Sequence, residues 1–268
     1  MKGLGAIAGR NERIQVALPL LCGYAMVAVL TLSVERDAAL RAFVGNMALM
    51  AAALLAALTF AWRSRAVASG KLPWRCFALA GLLVLGSRAL SLMAVSDGAS
   101  RWLMAFAVLA LAAGMALKLH ERERIPATEA WLEALLVLCV SLAVALRAWP
   151  QIPMGEAPAA ALATSIFLIA ALGFSLLRVV NGENISNRIL AAGIVSLAVA
   201  ILPTTLAGRE CCDSSSPASL AAVGGWLLLG FAALEHDASL PSRRAWHSRH
   251  LIAPLSALAL ALLLIQAG

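Results

Sequence analysis

The sequence predicts an all-α fold, a polytopic transmembrane helix bundle of about nine spans, and three observations predict it. Hydrophobic residues make up 62% of the 268 and charged residues 13%, about half the charged share of an ordinary soluble domain. Apolar stretches recur along the chain, and roughly 20 residues at ~1.5 Å rise match a hydrocarbon core ~30 Å thick. Lys and Arg gather in every second connection: about fifteen fall on one side, about five on the other and one inside a span. That asymmetry is the positive-inside pattern, and it predicts a multi-pass protein of a bacterial inner membrane with a cytoplasmic N-terminus.

The formal charge of +7 does not predict a nucleic-acid partner. Binding nucleic acid needs basic residues gathered on one exposed face with aromatics interleaved, and here they stand at helix ends. The lipid bilayer, with its anionic headgroups, is the partner this charge predicts.

Residues 1–13, with Lys2, Arg10 and Arg13, read as a cytoplasmic N-terminal segment, and 14–268 as a single transmembrane helical domain. The first span, about 14–33, is too long for the apolar core of a signal peptide and precedes no small-x-small cleavage site. The second, about 40–62, follows a short loop with Glu35, Arg36 and Asp37, and Arg63, Arg65, Lys71 and Arg75 mark the next cytoplasmic connection. The third, about 76–95, turns at Ser96-Asp97-Gly98 into the fourth, about 102–119, and Lys118, Arg122 and Arg124 mark the next cytoplasmic loop.

The fifth span follows Pro126 and Thr128 and ends near Trp149-Pro150, and the sixth covers about 159–180. The turn 181–187 is cytoplasmic, so a glycan on the sequon Asn184-Ile185-Ser186 would contradict this topology. The seventh covers about 189–206, the eighth about 218–234 and the ninth about 251–265, which puts the C-terminus outside. Trp62, Trp102, Trp131 and Trp149 fall near span ends, as an interfacial aromatic belt requires, and Trp226 sits mid-span. Gly81, Gly86, Gly114, Gly193, Gly224 and Gly225 read as points of close helix packing.

Arg88 is the strongest candidate for a functional side chain. It falls about twelve residues into the third span, near the expected bilayer centre, where an Arg costs about 2.5 to 3.5 kcal/mol to insert. Such a residue faces the protein interior and has a partner. Glu133 in the fifth span is the acidic candidate, but by helical rise it lies about 7 Å above the cytoplasmic boundary against about 18 Å for Arg88. Ser87, Ser91, Asn46 or free carbonyls are easier partners. Arg88, Glu133, Ser87, Ser91 and Trp226 together read either as a polar core that orients the spans or as a ligand or anion site.

Cys211 and Cys212 stand beside Glu210 and Asp213 in an outward-facing loop. Adjacent Cα atoms lie about 3.8 Å apart, too close for an undistorted disulfide. An intermolecular disulfide, a metal contact, redox sensing and an ordinary loop position are the alternatives. Cys22, Cys76 and Cys139 are buried in spans. His247 and His250 share one cytoplasmic loop beside Arg residues and read as solvated. No CxxC pair and no intramembrane Ser and His pair is present, so the chain reads as non-enzymatic, without cofactor or bound metal.

Three segments resemble the membrane-embedded N-terminal region of bacterial, especially actinobacterial, multi-span proteins that end in GGDEF and EAL cyclic-di-GMP domains. Glu129-Ala-Trp131-Leu-Glu133-Ala-Leu-Leu is similar to that group's Trp-Leu-Asp-Ala segment. Gly225-Trp226-Leu-Leu-Leu-Gly230 through Ala232-Ala233-Leu234-Glu235-His236 resembles its Gly-Trp-Leu-Leu to Ala-Ala-Leu-His ending, and Leu85-Gly86-Ser87-Arg88 is a weaker echo of a Gly-Asp pair. Phe174-Ser175 departs from the group's Tyr-Pro and Asp pattern, and no GGDEF sequence follows. Glu133-Ala134-Leu135 spells EAL only inside a span, so no catalytic residue carries over. The resemblance implies a sensory domain that passes a signal to a cytoplasmic output. Nine spans end outside, so either a tenth span and output domain follow or the chain is a stand-alone relative.

The expected function is an integral membrane sensory or scaffold domain. It binds an apolar or lipid-like ligand, or partner helices from a second copy or another membrane protein, and relays a signal across the bilayer. A small-molecule or lipid transporter is the alternative.

Overall fold

The computed structural model describes residues 38–67, 70–93, 97–123, 137, 139, 158–180, 185–206 and 217–234. Among them all regular structure is helical, in six long helices: α1 (Ala38–Ala66), α2 (Lys71–Leu92), α3 (Asp97–Glu123), α4 (Pro158–Val180), α5 (Ile185–Leu206) and α6 (Pro217–Leu234). They correspond to the second, third, fourth, sixth, seventh and eighth expected spans. The expected first and ninth spans lie outside the described residues, and of the fifth only Val137 and Cys139 are described, both helical. Three helical stretches, Phe43–Ala66, Lys71–Leu92 and Asp97–Lys118, are long and apolar enough to cross a membrane.

These helices are longer at their charged ends than periodicity predicts. The connection expected at 63–75 shrinks to residues 67–70, because Val67 N–H bonds the Arg63 carbonyl at 3.1 Å and Lys71 already opens α2. Gly70 takes the left-handed conformation (φ 72°) at the N-cap of α2, which turns the chain at no steric cost. Pro73 sits in the first turn, where its missing N–H would have no intrahelical partner. At the other end α2 stops at Leu92, three residues early, and α3 starts at Asp97, five residues early. The Asp97 carboxylate in the first turn of α3 suits the positive end of the helix dipole.

Antiparallel neighbours follow from residue contacts. Phe60 stacks on Trp74 and meets Phe77 at a tilt (centroids 6.0 and 5.3 Å), and a side chain on Gly81 would strike the Ala53 carbonyl and Ala57, so α1 and α2 run in opposite directions. Ser87 meets Ser100 at one end of the α2–α3 hairpin, and Phe77 meets Gly114 toward the other. In α5 and α6, Ser186 Oγ donates to the Ala232 carbonyl (2.8 Å) and Ser196 Oγ to the Ala221 carbonyl (2.6 Å). Between those two ties Gly193 and Gly225 face each other, each with the other's carbonyl 3.0 Å from where a Cβ would stand.

The main helix contacts run α1 on α2, α2 on α3, α3 on α4, α4 on α5, α5 on α6, and α6 back on α1. Six helices thus close a ring. Its interior is filled by Phe60, Trp74, Phe77, Leu111, Leu168, Ile194, Leu197 and Leu229, all fully buried. The outside is just as apolar: Phe43, Leu55 and Leu58 on α1, Leu79 and Leu82 on α2, Phe106 on α3 and Val199 on α5 are exposed. Helices apolar on all sides have no polar face to offer water, which fits a lipid surround. In lipid, apolar transfer between helices drives little, so small residues that let backbones approach carry the packing.

Candidate functional site

The ring has two rims. The first gathers the C-terminal ends of α1, α3, α4 and α6 with the N-terminal ends of α2 and α5, and it carries Arg63, Arg65, Lys71, Arg75, Lys118 and Arg188. The second gathers the opposite ends and carries Arg88 and Arg101. Among the residues whose side chains are described, the basic bias seen along the chain is therefore a bias between rims.

Arg88 is not at mid-helix. Because α2 starts early and stops early, Arg88 lies four residues before its last residue, about 6 Å from that end by helical rise. It is buried, 6% exposed, and lines a cleft at the second rim with Ser87, Ser91, Asp97, Ser100, Arg101 and Met104. The cleft and its open mouth enclose about 320 Å³. Three serines form its floor. Ser87 Oγ donates to the Ser100 carbonyl (2.9 Å), Ser100 Oγ to the Ser87 carbonyl (3.0 Å), and Ser91 Oγ meets Ser100 Oγ at 2.8 Å. One proton per hydroxyl satisfies all three bonds, so the floor is a closed network that locks α2 to α3.

The expected group of Arg88, Ser87 and Ser91 is thus brought together, and the hydroxyls bind Ser100 rather than waiting for Arg88. Ser100, Arg101 and Asp97 complete the cleft, and the residue pattern had not marked them. The signal was present in the spacing: Ser87 and Ser91 lie one turn apart on one face near the end of α2, close in sequence to the first turns of α3. Trp226 stands apart. It is 2% exposed and lines a purely apolar gap between α1, α2, α3, α5 and α6, with Leu49, Val84, Val108 and Leu197. That gap admits about one water-sized sphere. Met104 borders both spaces, so the polar cleft and the apolar gap lie one above the other.

A second polar feature lies at the first rim, where Lys118, expected to mark a cytoplasmic loop, is instead buried within α3. Lys118, 5% exposed, places Nζ 3.5 Å from the centre of the Trp74 ring, and Trp74 packs edge-on against Phe77 at 5.9 Å. A cation over an aromatic face in a dry setting contributes about 2 kcal/mol.

Glu133, Cys211 and Cys212 lie outside the described residues, and so do His247 and His250. Of the cysteines taken as buried in spans, Cys139 is exposed among the described residues and Cys76 is half-buried, both as free thiols, and Cys22 lies outside. A side chain on Gly173 would stand 2.9 Å from Val137 Cγ1, so Val137 lies against α4. Ser186 of the sequon is buried and bonded to α6. Compared with known proteins, the chain matches no family model, no curated protein and no solved structure.

Proposed function

We propose that this chain is a multi-pass membrane domain of about nine spans, basic rim toward the cytoplasm, that serves as a sensory or scaffold domain and relays a helix displacement across the bilayer. The observation that carries this reading is the α2–α3 hairpin. One pair of helices holds an arginine-lined open cleft at one rim and the Lys118–Trp74 pair at the other. Arg88 and Trp74 are fourteen residues apart on α2, about 21 Å by helical rise, most of a hydrocarbon core. A shift at the cleft moves α2 as a stiff rod, and the aromatic cluster at its other end reports it. The resemblance of the Trp226 and Trp131 segments to membrane regions of cyclic-di-GMP signalling proteins supports the same reading.

Spin labels on Arg65→Cys and Arg188→Cys, both exposed at the basic rim, test the relay in a background freed of other cysteines. Their distance distribution, measured in liposomes, shifts between the parent and Arg88→Gln if the cleft is coupled to that rim. Identical distributions sink the relay. Uptake or lipid scrambling by the same liposomes would replace the sensory reading with a transporter, the reading favoured by no feature of the water-sized central gap.

A further inference from the structure

We infer that the ring is an internal duplication. The helices α1, α2 and α3 form one copy of a three-helix unit and α4, α5 and α6 the other, and the surface each unit turns to the centre is built to pair with a copy of itself. Order and direction come first. Around the ring α1 and α3 run from the second rim to the first with α2 running back between them, and α4, α6 and α5 repeat that pattern. A half-turn about the bundle axis therefore lays α1 on α4, α2 on α5 and α3 on α6. Parallel repeats of membrane proteins are related in this way, by an axis along the membrane normal. Lengths agree as well: α2 and α5 both have 22 residues, and the connections before them, 67–70 and 181–184, are equal.

Burial sets the register. Each buried residue of α2 from Trp74 to Arg88 has a buried counterpart at the same spacing in α5 from Asn187 to Ile201, and the exposed Arg75, Leu79 and Leu82 answer to the exposed Arg188, Ala192 and Val195. Each buried residue of α6 from Ala222 to Ala233 likewise has one in α3 from Met104 to Met115. In α1 and α4 the sequence itself recurs. Ala56-Ala57-Leu58-Thr59-Phe60 and Ala170-Ala171-Leu172-Gly173-Phe174 both bury the two alanines and the Phe, and each Phe lies six residues before its helix ends.

A common helical period aligns any two inward faces to within a turn, so the residues at the centre decide. Val84 and Leu197, Met104 and Ala222, and Val108 and Trp226 are three counterpart pairs, and all six residues line the same apolar gap. A space met by both members of three pairs lies on the two-fold axis. The closest backbone approach agrees: Gly193 and Gly225 face each other between α5 and α6, and their counterparts in α2 and α3 are Ala80 and Ala107, both fully buried. The surface at the axis is thus self-complementary, as in an isologous dimer, with both partners in one chain. Departures from symmetry mark where the units have diverged. Ser87 and Arg88 answer to Ala200 and Ile201, so the polar pair at the second rim belongs to the first unit.

Spin-label distances in the full chain, purified in detergent and freed of other cysteines, test the duplication. A two-fold axis makes crossed distances equal, so Arg75→Cys with Val195→Cys and Leu82→Cys with Arg188→Cys give coincident distributions. All four positions are exposed, so the labels leave the packing intact. Arg75 and Leu82 stand about 10 Å apart along α2, and a one-turn slip between units would lengthen one distance and shorten the other. A second comparison brings in the third helices: Arg75→Cys with Trp102→Cys matches Arg188→Cys with Leu220→Cys. Coincidence in both comparisons supports the duplication, and separate peaks in either overturn it. Neither distance depends on a bilayer, so the membrane reading is tested apart from it, by whether alkaline carbonate releases the chain from membranes.

Discussion

Serine hydroxyls tie neighbouring helices together, Ser87, Ser91 and Ser100 across α2 and α3 and Ser186 and Ser196 across α5 and α6, and the ties differ in what they cost to remove. The Ser100 hydroxyl donates to the Ser87 carbonyl and meets the Ser91 hydroxyl, so Ser100→Ala frees a buried carbonyl and a hydroxyl at once, while Ser87 Oγ keeps the backbone carbonyl of residue 100. Its expected cost is about 1 to 2 kcal/mol, near the upper end for interhelical hydrogen bonds in membranes. Ser175→Ala removes a bond to the Leu172 carbonyl one turn back in the same helix and costs less, ~0.5 kcal/mol or less. Thermal unfolding of the two purified variants in one detergent ranks them, and equal melting points would mean the serine floor does not lock the hairpin. At the opposite rim a double-mutant cycle on Lys118→Met and Trp74→Leu returns a coupling of about 2 kcal/mol if the ammonium sits over the ring in the membrane-bound protein. A coupling near zero would place Lys118 in another rotamer.

Helix packing is decided where backbones approach closest. Gly193 and Gly225 leave no room for a side chain, and a Cβ on Gly193 would stand 2.9 Å from Leu229 Cγ and 3.0 Å from the Gly225 carbonyl. Gly193→Val therefore forces α5 and α6 apart and costs about 1 to 3 kcal/mol by overpacking. Gly86 has only Leu103 Cδ1 at 3.6 Å, ordinary contact, so Gly86→Ala is neutral or slightly stabilising, since Ala favours the helix by up to ~1 kcal/mol. Melting temperatures in detergent check the contrast, which would fail if the two variants lost stability equally. Both glycines read alike in sequence as packing points, and Gly230, which lies 3.2 Å from Ala56 Cα by its missing Cβ, was not marked at all. A glycine in an apolar run shows that a close approach is affordable. It does not show which neighbour makes it.

The ring closes where α6 returns to α1. A Cβ built on Gly230 stands 3.5 Å from Ala56 Cβ, within the range a disulfide needs. Ala56→Cys with Gly230→Cys, in a chain freed of other cysteines, cross-links in membranes on mild oxidation. The control pair Leu55→Cys with Gly230→Cys does not, because Leu55 points outward. Absence of the first cross-link would open the ring and remove the rigid frame that the proposed relay requires.

Sequence alone determined that the described chain is helical and apolar, and along which side its cations gather. Those properties depend on composition and on spacing within about 20 residues, which local hydropathy reads directly. It also marked Arg88, Ser87 and Ser91 as one polar stretch. The depth of Arg88 escaped it, because Gly70 and Asp97 let α2 and α3 begin five residues before the apolar runs do, and a helix end is set by capping and side-chain ties rather than by hydropathy. Tertiary structure alone decided that Ser100 and Arg101 complete the cleft, that Trp226 faces an apolar gap away from it, and that six helices close on themselves. Each of these joins residues from different helices. In a chain whose outer and inner surfaces are equally apolar, no pattern along the sequence says which face turns inward; van der Waals fit at Gly81, Gly193 and Gly225 and the serine bonds between helices make that choice.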